Sequence, residues 1–167
     1  MASIDWGKAE IVWWVKDNFP KGATCLDVGA CDGKWSKLLG DYLTMDAVEV
    51  FQENISLWKL ADKYRKVIWT DIANFEYDHY DLIIFGDVLE HMTVGKAQRV
   101  LDYAKPRCKD MIIGIPYLWS QDAIYGNPYE VHIQNDLTPE LFKARYGEWD
   151  EIIPHANDYG YYHKWKL

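Results

Sequence analysis

The sequence has 167 residues, of which 49% are hydrophobic and 26% are charged, as is typical of a globular chain long enough to bury a core. Its formal net charge of −8 argues against general nucleic-acid binding, which needs clustered Lys and Arg. No apolar run approaches the roughly 20 residues that cross a bilayer, and the three cysteines lack the spacing of a zinc site, so we expect a cytoplasmic protein without a membrane span or a metal site.

The first half of the chain alternates between helical and extended patterns. Pro20 and Gly22 end the first amphipathic stretch, and Gly29 and Gly33 would let the backbone turn sharply after an apolar run. The predicted elements are, in chain order, a helix over 4–18, a strand over 24–28, a helix from Gly33 towards residue 39, a strand over 46–51, a helix over 53–64, a strand over 66–70 and a polar loop over 71–78.

The second half continues this alternation around one long segment without periodicity. Gly95 is a weak point in its helix, where two helical segments could meet. Thr138 and Pro139 are the predicted N-cap and first residue of a late helix. The predicted elements are a strand over 80–86, a helix over 88–105, a strand over 109–116, an irregular loop over 117–135, a helix over 138–145 and closing strands over 148–153 and 159–167.

Strands that alternate with helices predict an α/β fold with right-handed crossovers and a mostly parallel, doubly wound sheet. Ligands of such sheets bind beyond the carboxyl ends of the strands, where the strand order reverses. Four acidic residues, Asp27, Glu49, Asp71 and Asp87, stand at or near the ends of four successive predicted strands. We therefore expect them to converge on one edge of the sheet, although each taken singly could be a turn or cap residue.

Four segments in order, LDVGACDGKW, VEVFQENI, TDIANF and YDLIIFGDVLEHM, are similar to the motifs of the class I S-adenosylmethionine-dependent methyltransferases. The resemblance implies a Rossmann-like seven-stranded sheet with an antiparallel C-terminal strand, and S-adenosyl-L-methionine as the cofactor. It also implies a single methyltransferase domain over 1–167. Within it we expect an N-terminal helix (1–22), a cofactor-binding core (23–116) and a substrate loop with closing strands (117–167).

The resemblance also implies roles for individual residues. Glu49 would hold both ribose hydroxyls, and Asp71 would accept from the adenine amino group with the Ile72 backbone at the ring edge. One departure is that Cys31 stands at the middle glycine of the family's usual GxGxG turn. The full set of implied cofactor-binding residues is Asp27, Gly29, Cys31, Gly33, Trp35, Glu49, Val50, Asp71, Ile72, Gly86 and Asp87.

The negative charge of the acidic residues at the strand ends discriminates between possible cofactors. S-adenosylmethionine carries a sulfonium and an ammonium group but no phosphate, whereas a pyrophosphate would be repelled by Asp27 and Asp87. An NAD-dependent oxidoreductase shares the sheet and the acidic residue at Glu49, but it needs a GxGxxG turn that this chain lacks. A non-catalytic, cofactor-binding partner subunit of another methyltransferase is a further alternative.

The acceptor side is expected around the loop over 117–135. A hydroxyl acceptor needs a base within hydrogen-bond reach, and the catalytic candidates are His91 and His132, although His91 could instead brace its helix. Aromatic side chains suit a sugar face or another flat molecule, and the substrate-binding candidates are Tyr117, Trp119, Tyr125, Tyr129 and His132.

A short segment over 127–142 is similar to segments of methyltransferases encoded with glycan- and antibiotic-modifying enzymes. We therefore expect O-methylation of a sugar or another small hydroxylated molecule. The acceptor would be bound by the loop over 117–135, by the first helix, or by a second subunit in a homodimer.

Overall fold

The computed structural model describes residues 5–124, 126–156 and 158–164, which form seven strands and five α-helices. The helices are α1 (Lys8–Asn18), α2 (Lys34–Leu39), α3 (Gln52–Leu57), α4 (Val94–Ala104) and α5 (Pro139–Tyr146). The strands are β1 (Thr24–Val28), β2 (Thr44–Glu49), β3 (Lys66–Trp69), β4 (Tyr80–Gly86), β5 (Cys108–Pro116), β6 (Asp150–Ala156) and β7 (Tyr159–His163). Short 3-10 helices cover Leu60–Asp62, Ile72–Asn74, Leu89–His91, Lys105–Arg107 and Pro128–Glu130.

All seven strands belong to one sheet with the order β3-β2-β1-β4-β5-β7-β6. The first five strands along the chain pair in parallel, and β7 lies antiparallel between β5 and β6. The predicted α/β sheet, mostly parallel and closed by an antiparallel C-terminal strand, is therefore confirmed. Its order reverses between β1 and β4, where Val28 lies opposite Phe85, so a crevice opens beyond these two strand ends.

The sheet buries both of its faces, as the apolar strand β4 predicts. Ile11, Val15 and Leu39 bring α1 and α2 against one face. Leu101 and Phe142 bring α4 and α5 against the other face. No helix in the described part of the chain is long and apolar enough to cross a membrane.

The helices differ most from the prediction at the points where they begin. Helix α1 starts at Lys8, because Gly7 adopts a left-handed conformation with a φ of 73°. The predicted single helix over 53–64 is wrong, because Lys59 has a φ of 49° and separates α3 from a 3-10 turn. Such backbone angles depend on tertiary contacts and leave little trace in an amphipathic pattern.

The predicted helix over 88–105 is also interrupted. A 3-10 turn over Leu89–His91 precedes α4, whose N-cap is Thr93, so Gly95 lies in the first turn of α4. The late helix is as predicted, since Thr138 accepts a hydrogen bond from the Leu141 N–H at 3.2 Å and Pro139 is its first residue. Residues 4 and 165–167, which belong to predicted elements, lie outside the described residues.

A close approach between β5 and β7 depends on Gly114. A Cβ placed on Gly114 would lie 2.7 Å from the Tyr159 hydroxyl and 2.8 Å from Tyr161 Cε1. Both tyrosines are almost fully buried, so neither ring has room to move. In contrast, the nearest heavy atom to a Cβ on Gly95 is Arg99 Nη1, at 3.6 Å.

We expect Gly114→Ala to lower the free energy of unfolding by about 1–3 kcal/mol, because an added methyl group would overpack the β5–β7 contact. Gly95→Ala is the matched control, and it should cause no loss of stability, since alanine favours a helix by up to about 1 kcal/mol over glycine. Urea denaturation of both variants measures the difference. Equal stabilities would contradict the proposed packing at Gly114.

Candidate functional site

A cleft opens at the carboxyl ends of β1, β2, β4 and β5, with an empty volume of about 1380 Å³ that includes its open mouth. The loop between β5 and α5 forms its outer wall. It lies where the strand order reverses, which is the position that the topology predicts. The predicted site residues that line it are Gly29, Cys31, Trp35, Glu49, Val50, Asp71, Ile72, Gly86, Asp87, His91, Trp119, Tyr129 and His132.

Three other predicted site residues do not line this cleft. Asp27 is only 1% exposed and accepts a hydrogen bond from the Tyr64 hydroxyl, and its burial raises its pKa to about 7. Gly33 is the N-cap of α2, and the Tyr117 hydroxyl pairs with that of Tyr162 in the core. These three residues thus have structural roles outside the cleft. Residue 125, which was predicted to bind substrate, lies outside the described residues.

The turn after β1 is fixed by a carboxylate at the end of β2. Glu49 is 3% exposed, and its two oxygens accept hydrogen bonds from the Cys31 and Phe51 N–H groups, each at 2.8 Å. Burial raises the pKa of Glu49, and these N–H donors act against that rise. Cys31 has a φ of 45°, in the left-handed region that glycine favours, so the turn has at this position the backbone conformation that a glycine would adopt easily.

Trp35 crosses the floor of the cleft at the end of β4. A Cβ on Gly86 would overlap the indole nitrogen, so glycine is needed for the ring to lie there. The buried Lys8 places its ammonium 4.6 Å from the Trp35 ring centroid and donates to the Tyr161 hydroxyl at 2.8 Å. Burial lowers the pKa of Lys8 to about 8, and the charge of Asp87 acts in the opposite direction.

Two acidic residues at the strand ends are held by neighbouring side chains. Asp71 lies beyond β3, accepts from the Ala73 N–H at 2.9 Å and pairs with the Lys96 ammonium at 2.7 Å. Asp87 follows β4 with a φ of 57° and accepts from the Tyr159 hydroxyl at 2.8 Å. The cleft surface is therefore acidic at three successive strand ends, namely β2, β3 and β4.

The acceptor end of the cleft contains three neighbouring titratable side chains. The His91 and His132 rings lie edge to face with centroids 4.7 Å apart, and Glu90 Oε1 lies 3.9 and 4.0 Å from their respective Nε2 atoms. Burial, reinforced by His132, lowers the pKa of His91 to about 4, and burial also lowers the pKa of His132. Burial raises the pKa of Glu90 well above its usual range.

Sequence reasoning missed Lys8 and Glu90. Lys8 looks like a solvent-facing residue of an amphipathic helix, and Glu90 looks like the polar side of a helix that the structure replaces with a 3-10 turn. Lys8 carries no sequence signal that distinguishes it from an exposed charge, whereas Glu90 lies within the YDLIIFGDVLEHM segment but was given no role of its own. Trp119 and Tyr129, which were predicted, lie at the mouth of the cleft and are 40% and 50% exposed.

Known structures share this architecture. A methyltransferase from Clostridium acetobutylicum ATCC 824 that depends on S-adenosylmethionine superimposes with a TM-score of 0.72, covering 97% of this chain and 92% of that one at 13% identity. The fold of the present chain is therefore that of the S-adenosylmethionine-dependent methyltransferases. A TehB-like methyltransferase of this kind from Corynebacterium glutamicum gives a TM-score of 0.70, with 99% and 90% coverage and 13% identity.

A third methyltransferase structure, the magnesium protoporphyrin IX methyltransferase of Synechocystis PCC 6803, contains bound S-adenosylmethionine. It superimposes with a TM-score of 0.63 over 93% of this chain and 76% of that one, at 13% identity. No protein-family model matches the sequence, and no curated protein is similar to it in sequence. The resemblance of the strand-end motifs to the methyltransferases is thus confirmed at the level of the fold.

The buried imidazole of His91 predicts a measurable pH dependence. Its pKa falls from 6.5 to about 4 on folding, so between these values the unfolded chain binds the proton and the folded chain does not. Wild type should therefore lose up to about 1 kcal/mol per pH unit relative to His91→Gln as the pH falls through this range. Urea denaturation at several pH values measures this difference, and shared groups such as Asp27 cancel. Parallel stability curves would contradict the assignment.

Proposed function

We propose that this chain is an S-adenosylmethionine-dependent methyltransferase that acts on a hydroxyl group of a small molecule. The observation that carries the proposal is the shared cleft of Glu49, Asp71 and Asp87 at successive strand ends. A surface of this charge disfavours the pyrophosphate of a dinucleotide and favours a nucleoside that carries positive charge. The fold, which the methyltransferases share, supports the same cofactor.

The cleft has the donors and acceptors that this cofactor requires. The Cys31 and Phe51 N–H groups fix the orientation of the Glu49 carboxylate, which lines the cleft where a ribose diol would donate to it. Asp71 and the backbone of Ile72 would receive the adenine. Gly86, whose missing Cβ leaves room for Trp35, and Asp87 would lie along the methionine part.

The chain's part in methyl transfer is alignment, exclusion of water and removal of a proton. S-adenosylmethionine, when bound, supplies a methyl group that its sulfonium has already activated. His91 and His132 then serve the removal of the acceptor's hydroxyl proton. Their Nδ1 atoms lie 3.1 and 2.8 Å from the Val131 and Trp119 carbonyl oxygens, which leaves the Nε2 lone pairs for the acceptor end of the cleft.

Aromatic side chains at the mouth favour a flat or sugar-like acceptor. Trp119 and Tyr129 line the cleft while keeping a large exposed area, which a ligand would cover. The Tyr129 ring also packs against Phe51, with centroids 6.5 Å apart, so the loop is braced where an acceptor would enter.

Calorimetric titration with S-adenosylhomocysteine tests the proposed cofactor. We expect saturable binding that Asp71→Ala weakens by about 1–3 kcal/mol, since a polar partner of the adenine is removed. Asp102→Ala is the matched control, because the Asp102–Lys105 ion pair (2.9 Å) resembles the Asp71–Lys96 pair but does not line the cleft. No binding at millimolar ligand, together with protection from thermal unfolding by NADH, would favour an oxidoreductase instead.

The variant His132→Ala tests the acceptor end of the cleft independently of the cofactor end. We expect unchanged affinity for S-adenosylhomocysteine and a loss of turnover of roughly 10²–10⁴-fold, the usual range for a missing acid–base group. Methyl transfer to a panel of sugars and phenols from labelled S-adenosylmethionine provides the measurement. Loss of the folded circular dichroism spectrum would instead assign His132 a structural role, through its contact with the Trp119 carbonyl.

A further inference from the structure

Glu90 has an environment that the proposed base role of the histidines does not explain. Its side chain is 0% exposed, and neither carboxylate oxygen accepts a hydrogen bond from another described residue. A buried carboxylate without partners is costly, and in folded proteins such groups usually pair with a cation or coordinate a metal. The backbone of Glu90 is held in place, since its carbonyl accepts hydrogen bonds from the Ile133 and Gln134 N–H groups, each at 2.9 Å.

The two neighbouring imidazoles are held in the orientation that metal-binding histidines adopt. His91 Nδ1 lies 3.1 Å from the Val131 carbonyl oxygen, and His132 Nδ1 lies 2.8 Å from the Trp119 carbonyl oxygen. A proton on each Nδ1 satisfies these carbonyls, fixes the tautomer and leaves Nε2 as the free nitrogen. Both Nε2 atoms then face Glu90 Oε1, at 3.9 and 4.0 Å.

These separations are too long for hydrogen bonds and suit a shared ion. A direct Glu90–His hydrogen bond would need roughly 3 Å between the heavy atoms. One ligand atom from each of the three side chains lies within 4.8 Å of the others. Bonds of about 2.0–2.2 Å to a central ion would require these atoms to move towards one another.

We propose that Glu90, His91 and His132 bind one divalent first-row transition ion, with Zn²⁺ as the reference case, at the acceptor end of the cleft. Two imidazoles and one carboxylate favour such an ion over Mg²⁺ or Ca²⁺, which prefer oxygen ligands. The ion would also supply the positive charge that the buried carboxylate lacks.

The position of the site suggests its use. All three ligands line the cleft next to Trp119, so an ion with three protein ligands keeps positions open towards an acceptor. There it would lower the pKa of a hydroxyl bound to it, whose proton would pass to water at the open mouth of the cleft, because metal-bound Nε2 atoms could no longer accept it. This use rests on the proposed function, whereas binding of the ion does not.

Cobalt titration of the cofactor-free protein tests the site. Protein without a polyhistidine tag is stripped with a chelator, and Co²⁺ is added while the visible absorption of its d–d bands is recorded. We expect one equivalent to bind, Zn²⁺ to displace it, and Mg²⁺ to have no effect. Zn²⁺ should also raise the melting temperature of the wild-type protein.

Substitutions in the cluster locate the ion. Glu90→Gln and His132→Gln should each weaken Co²⁺ binding at least roughly 100-fold, since loss of a ligand exceeds the 10–100-fold effect of an outer-shell change. His79→Gln is the matched control, because His79 is exposed and lies outside the cleft. If one cluster variant does not fold, His91→Gln replaces it, and folding is checked by circular dichroism.

Several outcomes would overturn the metal site. These are the absence of saturable Co²⁺ binding, binding that survives all folded cluster variants, and a near-ultraviolet thiolate charge-transfer band that places the ion at Cys31. None of these affects cofactor binding, which is measured separately with S-adenosylhomocysteine. Conversely, stoichiometric cobalt in a protein that binds no S-adenosylhomocysteine would support the metal site and contradict the proposed function.

Discussion

The hydrogen bonds of Glu49 hold together the surface on which the cleft depends. Its carboxylate joins the end of β2 to the turn after β1 by accepting from Cys31, and it fixes the start of α3 by accepting from Phe51. A left-handed backbone costs a non-glycine residue roughly 1–2 kcal/mol. A hydrogen bond to a charged group contributes about 1.5–3 kcal/mol, which is enough to offset that cost. The turn therefore keeps its shape with a cysteine in a left-handed conformation.

The sheet could be predicted from the sequence because burial on both faces leaves continuous apolar runs. Strand β4 has the predicted bounds, and β3 and β5 differ by one residue. Helix boundaries were less predictable, because they are set by backbone angles at Gly7 and Lys59 that depend on tertiary contacts. The strand β6 is shifted for a related reason. It pairs with β7 through register irregularities, which an alternating pattern does not encode.

The position of the strand-end carboxylates was predictable, because topology alone determines it. Glu49, Asp71 and Asp87 follow the ends of parallel strands, and such ends must meet at one edge of the sheet. Asp27 also stands near a strand end, but its side chain meets Tyr64, since successive residues of a strand point to opposite faces. Glu90 could not be identified, because complete burial of a charged residue is a property of the folded chain.

Carboxylates at both ends of the sheet have polar partners, and Glu90 is an exception. At the amino end, Asp46 accepts from Arg65 Nε at 2.8 Å, from Arg65 Nη2 at 2.7 Å and from the Tyr80 hydroxyl at 3.0 Å. Asp81 is likewise satisfied by Thr24 and Lys109. Polar partners are therefore available to this chain where stability alone requires them. Glu90 at the carboxyl end lacks them among the described residues, so its burial adds a cost that the sheet does not need. A bound cation would remove that cost, and the instability of the empty site then becomes a source of affinity.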